Sequence, residues 1–496
     1  TNTVNVGFEP DFIWIKRRDG VDGHHLYDSV RGMGKVLQSN TTGAENQGNH
    51  VNTTSTGFTL VTDNINQNGN LFIAWCWKAG GAASSNTEGT INSDVSVNNT
   101  LGFSIVKYTG SSPNQTVGHG LDATPEFIVV KNMDTAGNGW ATQSPFSGGA
   151  DYHMMLNGTQ AAQNNVDWIW NDVNPTSTVF SIGQNGITNT SGNNYISYCF
   201  TSKPGFSKVG SYTGNGSTSG PMVQTGFEPA FLMVKRTDSG DNWLVFDNKR
   251  NTTNPTNLAL IPNSTAAESV GNLGNGFSFY ANGFQVVSTD SGVNANGGNY
   301  IYLAFAADGS TATPSLANSF ETQTWTGNNA VRTIPYNFKP DLWFAKNYTA
   351  TNGYGHYWTW IDSIRGGNSV LYSNVTNAAA ATGNAFSFVN AGVTFNTSGS
   401  NGHNENAFNF AGYAFKAGGG APSINTDGTI TSIVSANEAA GFSVVNWSGN
   451  GSNDTIGHGL SAAPEMIIYK SISATQNWTV LTTAIDGSAD GLVLND

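Results

Sequence analysis

The chain holds two thiols, Cys76 and Cys199. Cys76 lies in FIAWCWK (72–78) between two tryptophans, where a cysteine could be half of a disulfide, a metal ligand or a nucleophile. Cys199 lies in YISYCFT (195–201). Aligned with YIYLAFA (300–306) and FAGYAFK (410–416), both cysteines fall where Ala304 and Ala414 stand. A place that takes Cys or Ala asks for a small apolar side chain, and free cysteine behaves as one. Equivalent places in separate domains also lie beyond the Cα separation of about 7 Å that a disulfide spans. Both cysteines are read as packing residues.

Other reactive groups recur in the same way. Lys16, Lys131, Lys235, Lys346 and Lys470 each close one recurring strand. Their register predicts a role in the fold, through an acidic partner or by snorkelling at a sheet edge, ahead of a shared ligand contact. The pairs Asp28/Arg31, Asp247/Arg250 and Asp362/Arg365 have the D-x-x-R spacing of a turn-locking ion pair. His119 and His458 each sit in GHG, with no Ser, Cys or Asp at a fixed spacing to form a dyad. Acidic residues such as Asp19, Asp22, Asp134, Asp238 and Asp241 vary in number and spacing from unit to unit. That variation fits turn chemistry and not the paired carboxylates of a glycosidase. No calcium-ligand spacing is present. The expectation is therefore no enzyme, no cofactor and no metal. The aromatic loop GYGHYWTW (353–360) is the weak candidate for ligand binding, through Tyr354, His356, Tyr357 and Trp358.

These residues recur because the chain repeats itself. GFEPDFIWIK (7–16) returns as ATPEFIVVK (123–131), GFEPAFLMVK (226–235), NFKPDLWFAK (337–346) and AAPEMIIYK (462–470). The prolines at 10, 125, 229, 340 and 464 are 104 to 124 residues apart, the length of one small β domain. Each unit after the first opens on a Phe-led strand, such as GFSIVKYTG (102–110), and the units end on the closing strands aligned above. Trp140, Trp243, Trp358 and Trp478 mark matching places between. A longer period lies over the short one, since KAGGAASSNTEGTINSDVSVNN (78–99) returns as KAGGGAPSINTDGTITSIVSANE (416–438). The predicted domains are 1–81, lacking its opening strand; 82–204, a linker strand plus a second unit; 205–311; 312–419; and 420–496, a linker plus a partial unit. A repeat cut at both ends implies a fragment of a longer polypeptide.

Composition points to the same class. Charged residues make up 11% of the chain, against about 25% in an average soluble domain, so surface polarity must come from Asn, Gly, Ser and Thr. Those residues favour turns, while the apolar segments are rich in aromatic and β-branched residues. In PEFIVVK, Phe127 and Val129 point one way and Ile128 and Val130 the other, so this strand must be covered on both faces. Seven or eight such short segments per unit predict an all-β chain of tandem antiparallel β-sandwich domains, jelly-roll or concanavalin/laminin-G-like. The four-residue join TSKP (201–204) predicts close packing of its two neighbours, and the long join GTINSDVSVN suggests a strand. A net charge of −13 argues against nucleic acid, and no apolar run reaches the ~20 residues of a membrane span.

The ordered landmarks AWCWKAGGA, NTEGTI, GFSIVKYTG, VGHGL and PEFIVVKN resemble a tandem β-domain repeat found in predicted virion and fibre proteins of marine tailed phages, particularly cyanophages. The resemblance covers nearly the whole chain. It implies a structural or fibre-like protein on the virion surface, extracellular, whose partners are other virion proteins and host-surface glycans. A homo-trimer is implied by the resemblance alone, and it supplies no catalytic or binding residues. Two alternatives stand beside this reading: a capsid decoration or spacer protein with purely structural contacts, and a bacterial cell-surface adhesin.

Overall fold

The computed structural model describes residues 2–61, 65–164, 168–270, 276–306, 319–349, 357–397, 402–485 and 487–495. Nearly all of its regular structure is antiparallel β. The chain divides into two compact units, 1–309 and 310–496.

Residues 82–204 show how one module is built. The Pro-led strand Phe127–Asn132 lies at the centre of an eight-stranded sheet, between Trp140–Gln143 and the closing strand Asn194–Phe200. The opening strand Phe103–Thr109 pairs with the far edge of the closing strand. A second small sheet, Gln115–Gly118 with Val179–Ile182, covers one face. Ile128, Val130, Cys199 and Tyr195 face that small sheet, with Val117 and Phe180, in the module's own core. The long join does become strand: Ser93–Asn98 extends the sheet beyond Phe103–Thr109. Residues 207–306 and 320–415 repeat the plan, and residues 2–77 repeat it without the opening strand, each with a core of its own.

The glycine that ends each opening strand has a steric cause. A Cβ on Gly110, Gly214 or Gly327 would collide with the backbone carbonyl of Thr190, Ala295 or Glu405, on the turn before the closing strand. Only glycine lets the two segments pass so closely.

The other face of each large sheet explains the double apolar pattern. In residues 1–309 the outward residues of all three Pro-led strands meet in one shared core. Phe12 and Trp14 join Phe127 and Val129, and Phe231 and Met233, with Trp77, Phe200 and Phe305 from the closing strands. A void of about 30 Å³ remains between them, walled by apolar side chains alone, so nothing there would hold a water. The modules are therefore sandwiches that close on a common centre. Close packing does not depend on linker length, because the modules joined by the long linker share this core as fully as those joined by TSKP.

Candidate functional surface

Three of the five recurring lysines reach from one module to another. Lys16, Lys131 and Lys235 are fully buried. Lys131 Nζ donates to the Thr42 carbonyl of the preceding module at 3.5 Å, and to the Asn132 and Asn138 carbonyls of its own at 2.8 and 3.0 Å. Lys235 reaches Thr159 at 3.3 Å, and Lys16 closes the cycle on Thr265 at 3.3 Å. Backbone bonds follow the same cycle: Gly137 to Thr42, Asp241 to Thr159, and Asp22 to Thr265. Burial lowers each ammonium pKa to about 8. Each of these three ammonium groups thus donates to the carbonyl of the next residue in its own module, at 2.7–2.8 Å, and to a carbonyl of a neighbouring module at 3.3–3.5 Å, whereas Lys470 donates to the Ser471 and Ala474 carbonyls of its own turn.

A second cyclic contact lies beside it. Trp140 Nε1 donates to the Gln38 carbonyl at 3.0 Å, and Trp243 Nε1 to the Met155 carbonyl at 2.9 Å. The first module puts His24 in this place, fully buried, where its Nδ1 accepts from Trp14 Nε1 at 2.9 Å.

The D-x-x-R pairs lock turns, as their spacing predicts. Asp28 Oδ1 accepts from the backbone of Val30 and Arg31, and its other oxygen pairs with the Arg31 guanidinium. Asp247 treats Lys249 and Arg250 alike. Each carboxylate also takes a donor from another module. Tyr198 Oη donates to Asp28 Oδ2 at 2.8 Å, and Trp75 Nε1 to Asp247 Oδ2 at 3.1 Å. The third equivalent donor place holds Leu303, which has nothing to donate. In the module that Leu303 would meet, Ser144 stands where the other two carry aspartate. The donor and the carboxylate are absent together.

The remaining reactive residues serve their own turns. His119 is buried, accepts from the Leu121 amide at Nδ1 and lies 3.2 Å from the Thr176 carbonyl through Nε2, which makes Nε2 the protonated nitrogen. His458 accepts from Leu460 in the same way. Asp19 and Asp238 pair with Arg17 and Arg236, and Asp134 takes the Asn194 amide. Both cysteines are free, and burial pushes each thiol up to about 12. Among the described residues, no three His, Cys, Asp or Glu side chains come together to hold a metal. No described helix is long and apolar enough to cross a membrane. A cleft of about 220 Å³ opens beside Ser144, lined by Pro125, Pro145, Pro175, Thr124 and Asn174 and by no aromatic ring.

The candidate aromatic loop lies in residues 310–496. Tyr354 and His356 fall outside the described residues. Tyr357 is exposed and packs on Tyr372 with ring centres 4.9 Å apart. Trp358 is half-buried, with Lys346 Nζ 5.9 Å from its ring centre. Both border a larger aromatic face that spacing alone did not reveal. Phe344 stacks on Trp360 at 4.4 Å and on Tyr413 at 5.1 Å, and Phe415 packs at a tilt on the exposed Phe320 at 4.7 Å. These are the counterparts of Trp14, Leu26, Trp75 and Trp77, which the shared core of residues 1–309 buries. Here Phe344, Trp360, Tyr413 and Phe415 stay half-buried. The module contact itself recurs, since Trp478 Nε1 donates to the Tyr372 carbonyl at 2.9 Å, as Trp140 does to Gln38.

A family model described as a domain of unknown function, DUF7483, matches residues 1–308 and again residues 315–496. The chain belongs to this family. One DUF7483 match spans all three modules that share the first core. No curated protein matches the chain.

Proposed function

We propose that this chain is a structural, fibre-like protein of a phage virion, and that the aromatic face of residues 342–415 makes its contact with host-surface glycans. One observation carries the structural part: three sandwiches close on a single apolar centre, with buried lysines and tryptophans tying each to the next. Such an arrangement removes hinge freedom between modules and suits a load-bearing element. The attachment part draws support from Tyr357, Trp358 and the stacked Phe344, Trp360 and Tyr413. Flat rings left partly in water offer the apolar platform on which the C–H faces of a sugar settle.

The test is adsorption of the purified chain to host cells and to a glycan array, beside the variants Trp358→Ala and Tyr357→Ala. Saturable binding that falls at least tenfold in Trp358→Ala is the expected result. No binding by the unaltered chain ends the attachment reading and favours a decoration or spacer protein.

A further inference from the structure

Gln143 breaks the pattern of the repeat. It stands opposite Ile128 in the large sheet of residues 82–204, on the face of the module's own core. At the same register the other modules carry Tyr27 opposite Ile13, Phe246 opposite Leu232 and Ile361 opposite Trp343, all three fully buried. Gln143 is only 3% exposed, and among the described residues neither its Nε2 nor its Oε1 has a hydrogen-bond partner. A buried carboxamide in that state is unfavourable and calls for a partner. The turn that follows departs at the same point. Three modules run D-x-x-R here, but this one runs Ser144-Pro145-Phe146-Ser147, a 3-10 turn. The Phe146 amide donates to Ser144 Oγ at 3.3 Å, and Ser147 Oγ donates to the Ser144 carbonyl at 3.0 Å. Gly148 and Gly149 come next at φ of 111° and 77°, where a Cβ on Gly148 would strike the Tyr152 ring. The cleft of about 220 Å³ opens at this rebuilt turn, between Pro125, Pro145, Pro175 and the two glycines, and Gln143 is one of its lining residues. Asn174 Oδ1, also on the wall, is taken by the Ala150 amide at 3.0 Å.

We propose that this cleft binds an uncharged, extended peptide segment, one residue of which sets its N–H and C=O against the Gln143 carboxamide while its apolar side chain lies on the prolines. In an extended residue the N–H and the C=O point to the same edge, so the two together match the acceptor and the donor of one carboxamide. The terminal torsion of a glutamine is broad, so the amide can turn to meet the segment without moving its strand. The walls disfavour other ligands. No charged side chain lines the cleft to hold an ion, and no aromatic ring lines it for a sugar to lie on. The site is separate from the aromatic face of residues 342–415, and it neither needs nor supports the glycan reading.

The probe is the capped tripeptide N-acetyl-alanyl-leucyl-alanine N-methylamide, titrated into the full chain and followed by saturation-transfer NMR. Saturable binding is expected. The same peptide methylated on the leucine nitrogen lacks the N–H that meets Oε1 and is expected to bind at least tenfold more weakly. Gln143→Met fills similar space without the amide. It is expected to lower affinity at least tenfold and to leave the unfolding midpoint unchanged or raised, since it removes a buried group that has no partner. Thr124→Trp, at an exposed place on the rim, is expected to block the peptide at an unchanged midpoint. Absent binding, equal binding of the methylated peptide, or equal binding by Gln143→Met overturns the site. Tighter binding of N-acetylglucosamine than of the peptide overturns the choice of ligand, and a lowered midpoint in Gln143→Met overturns the assignment by making Gln143 a structural residue.

Discussion

His24, Trp140 and Trp243 occupy one equivalent place at three module joints, and only His24 can titrate. Burial holds its pKa well below the usual 6.5, so the folded chain keeps the ring neutral. As pH falls below 6.5 the unfolded chain takes up the proton first, and stability present above that value is lost. The loss approaches about 1.4 kcal/mol per pH unit for each such histidine. His119 and His153 are depressed by burial as well and add to the slope. Denaturant titrations of residues 1–309 in the full chain, at pH 7.5 and 5.5, are expected to show this loss. In His24→Gln part of it should vanish, whatever that change does to stability at pH 7.5. An unchanged slope contradicts a neutral buried His24. The tryptophans were visible in the sequence as landmarks, and so was the register of Lys16, Lys131 and Lys235. Their roles were not, because each partner is a backbone carbonyl about 80 or more residues away, on a module that no local pattern singles out.

The D-x-x-R turn illustrates how far an element can be read from its spacing. Three residues bring the guanidinium back onto its own carboxylate, and the sequence shows that directly. The donors from Tyr198 and Trp75 depend on which module lies opposite, which spacing does not encode. Alternation served better: in residues 82–204 the Pro-led strand has apolar residues on both faces, and the structure covers both, one with the module's own small sheet and one with sister modules. Replacing Asp28 by Ala leaves the buried Arg31 only its longer ion pair with Glu45, at 3.4 Å, and leaves the Tyr198 hydroxyl without an acceptor. The expected cost is about 3–5 kcal/mol, the range for half of a buried ion pair. Asp362→Ala is expected to cost less, because the Asp362 and Arg365 side chains are about a tenth exposed where those of Asp28 and Arg31 are fully buried, and the carboxylate accepts no donor from a sister module among the bonds described. Equilibrium unfolding of the two variants, monitored separately in residues 1–309 and 310–496 by hydrogen exchange, measures the difference. Equal losses would mean that the inter-module donor contributes nothing.

The repeat, its length and its all-β character were open to inspection in the sequence, whereas closure of three modules around one centre was not. Periodicity shows that a face is apolar without naming what covers it. Closure has a thermodynamic consequence. Tandem domains with separate cores unfold one at a time, but a shared core makes the folded state of each module a condition for burying the others. Phe231 is a sensitive place to test this. It belongs to the third module, yet its ring packs against Trp75 and Trp77 of the first at 5.6 and 5.5 Å, besides Phe305 of its own. Phe231→Ala opens a cavity in the centre and is expected to destabilise by about 3–5 kcal/mol. If the three modules unfold as one, amides in the strands Phe12–Arg17 and Phe127–Asn132 lose the same protection as those in Pro229–Arg236, and the unfolding transition moves to lower denaturant without splitting. Loss confined to residues 207–306 would show that the modules fold independently and that their common core is a late docking contact.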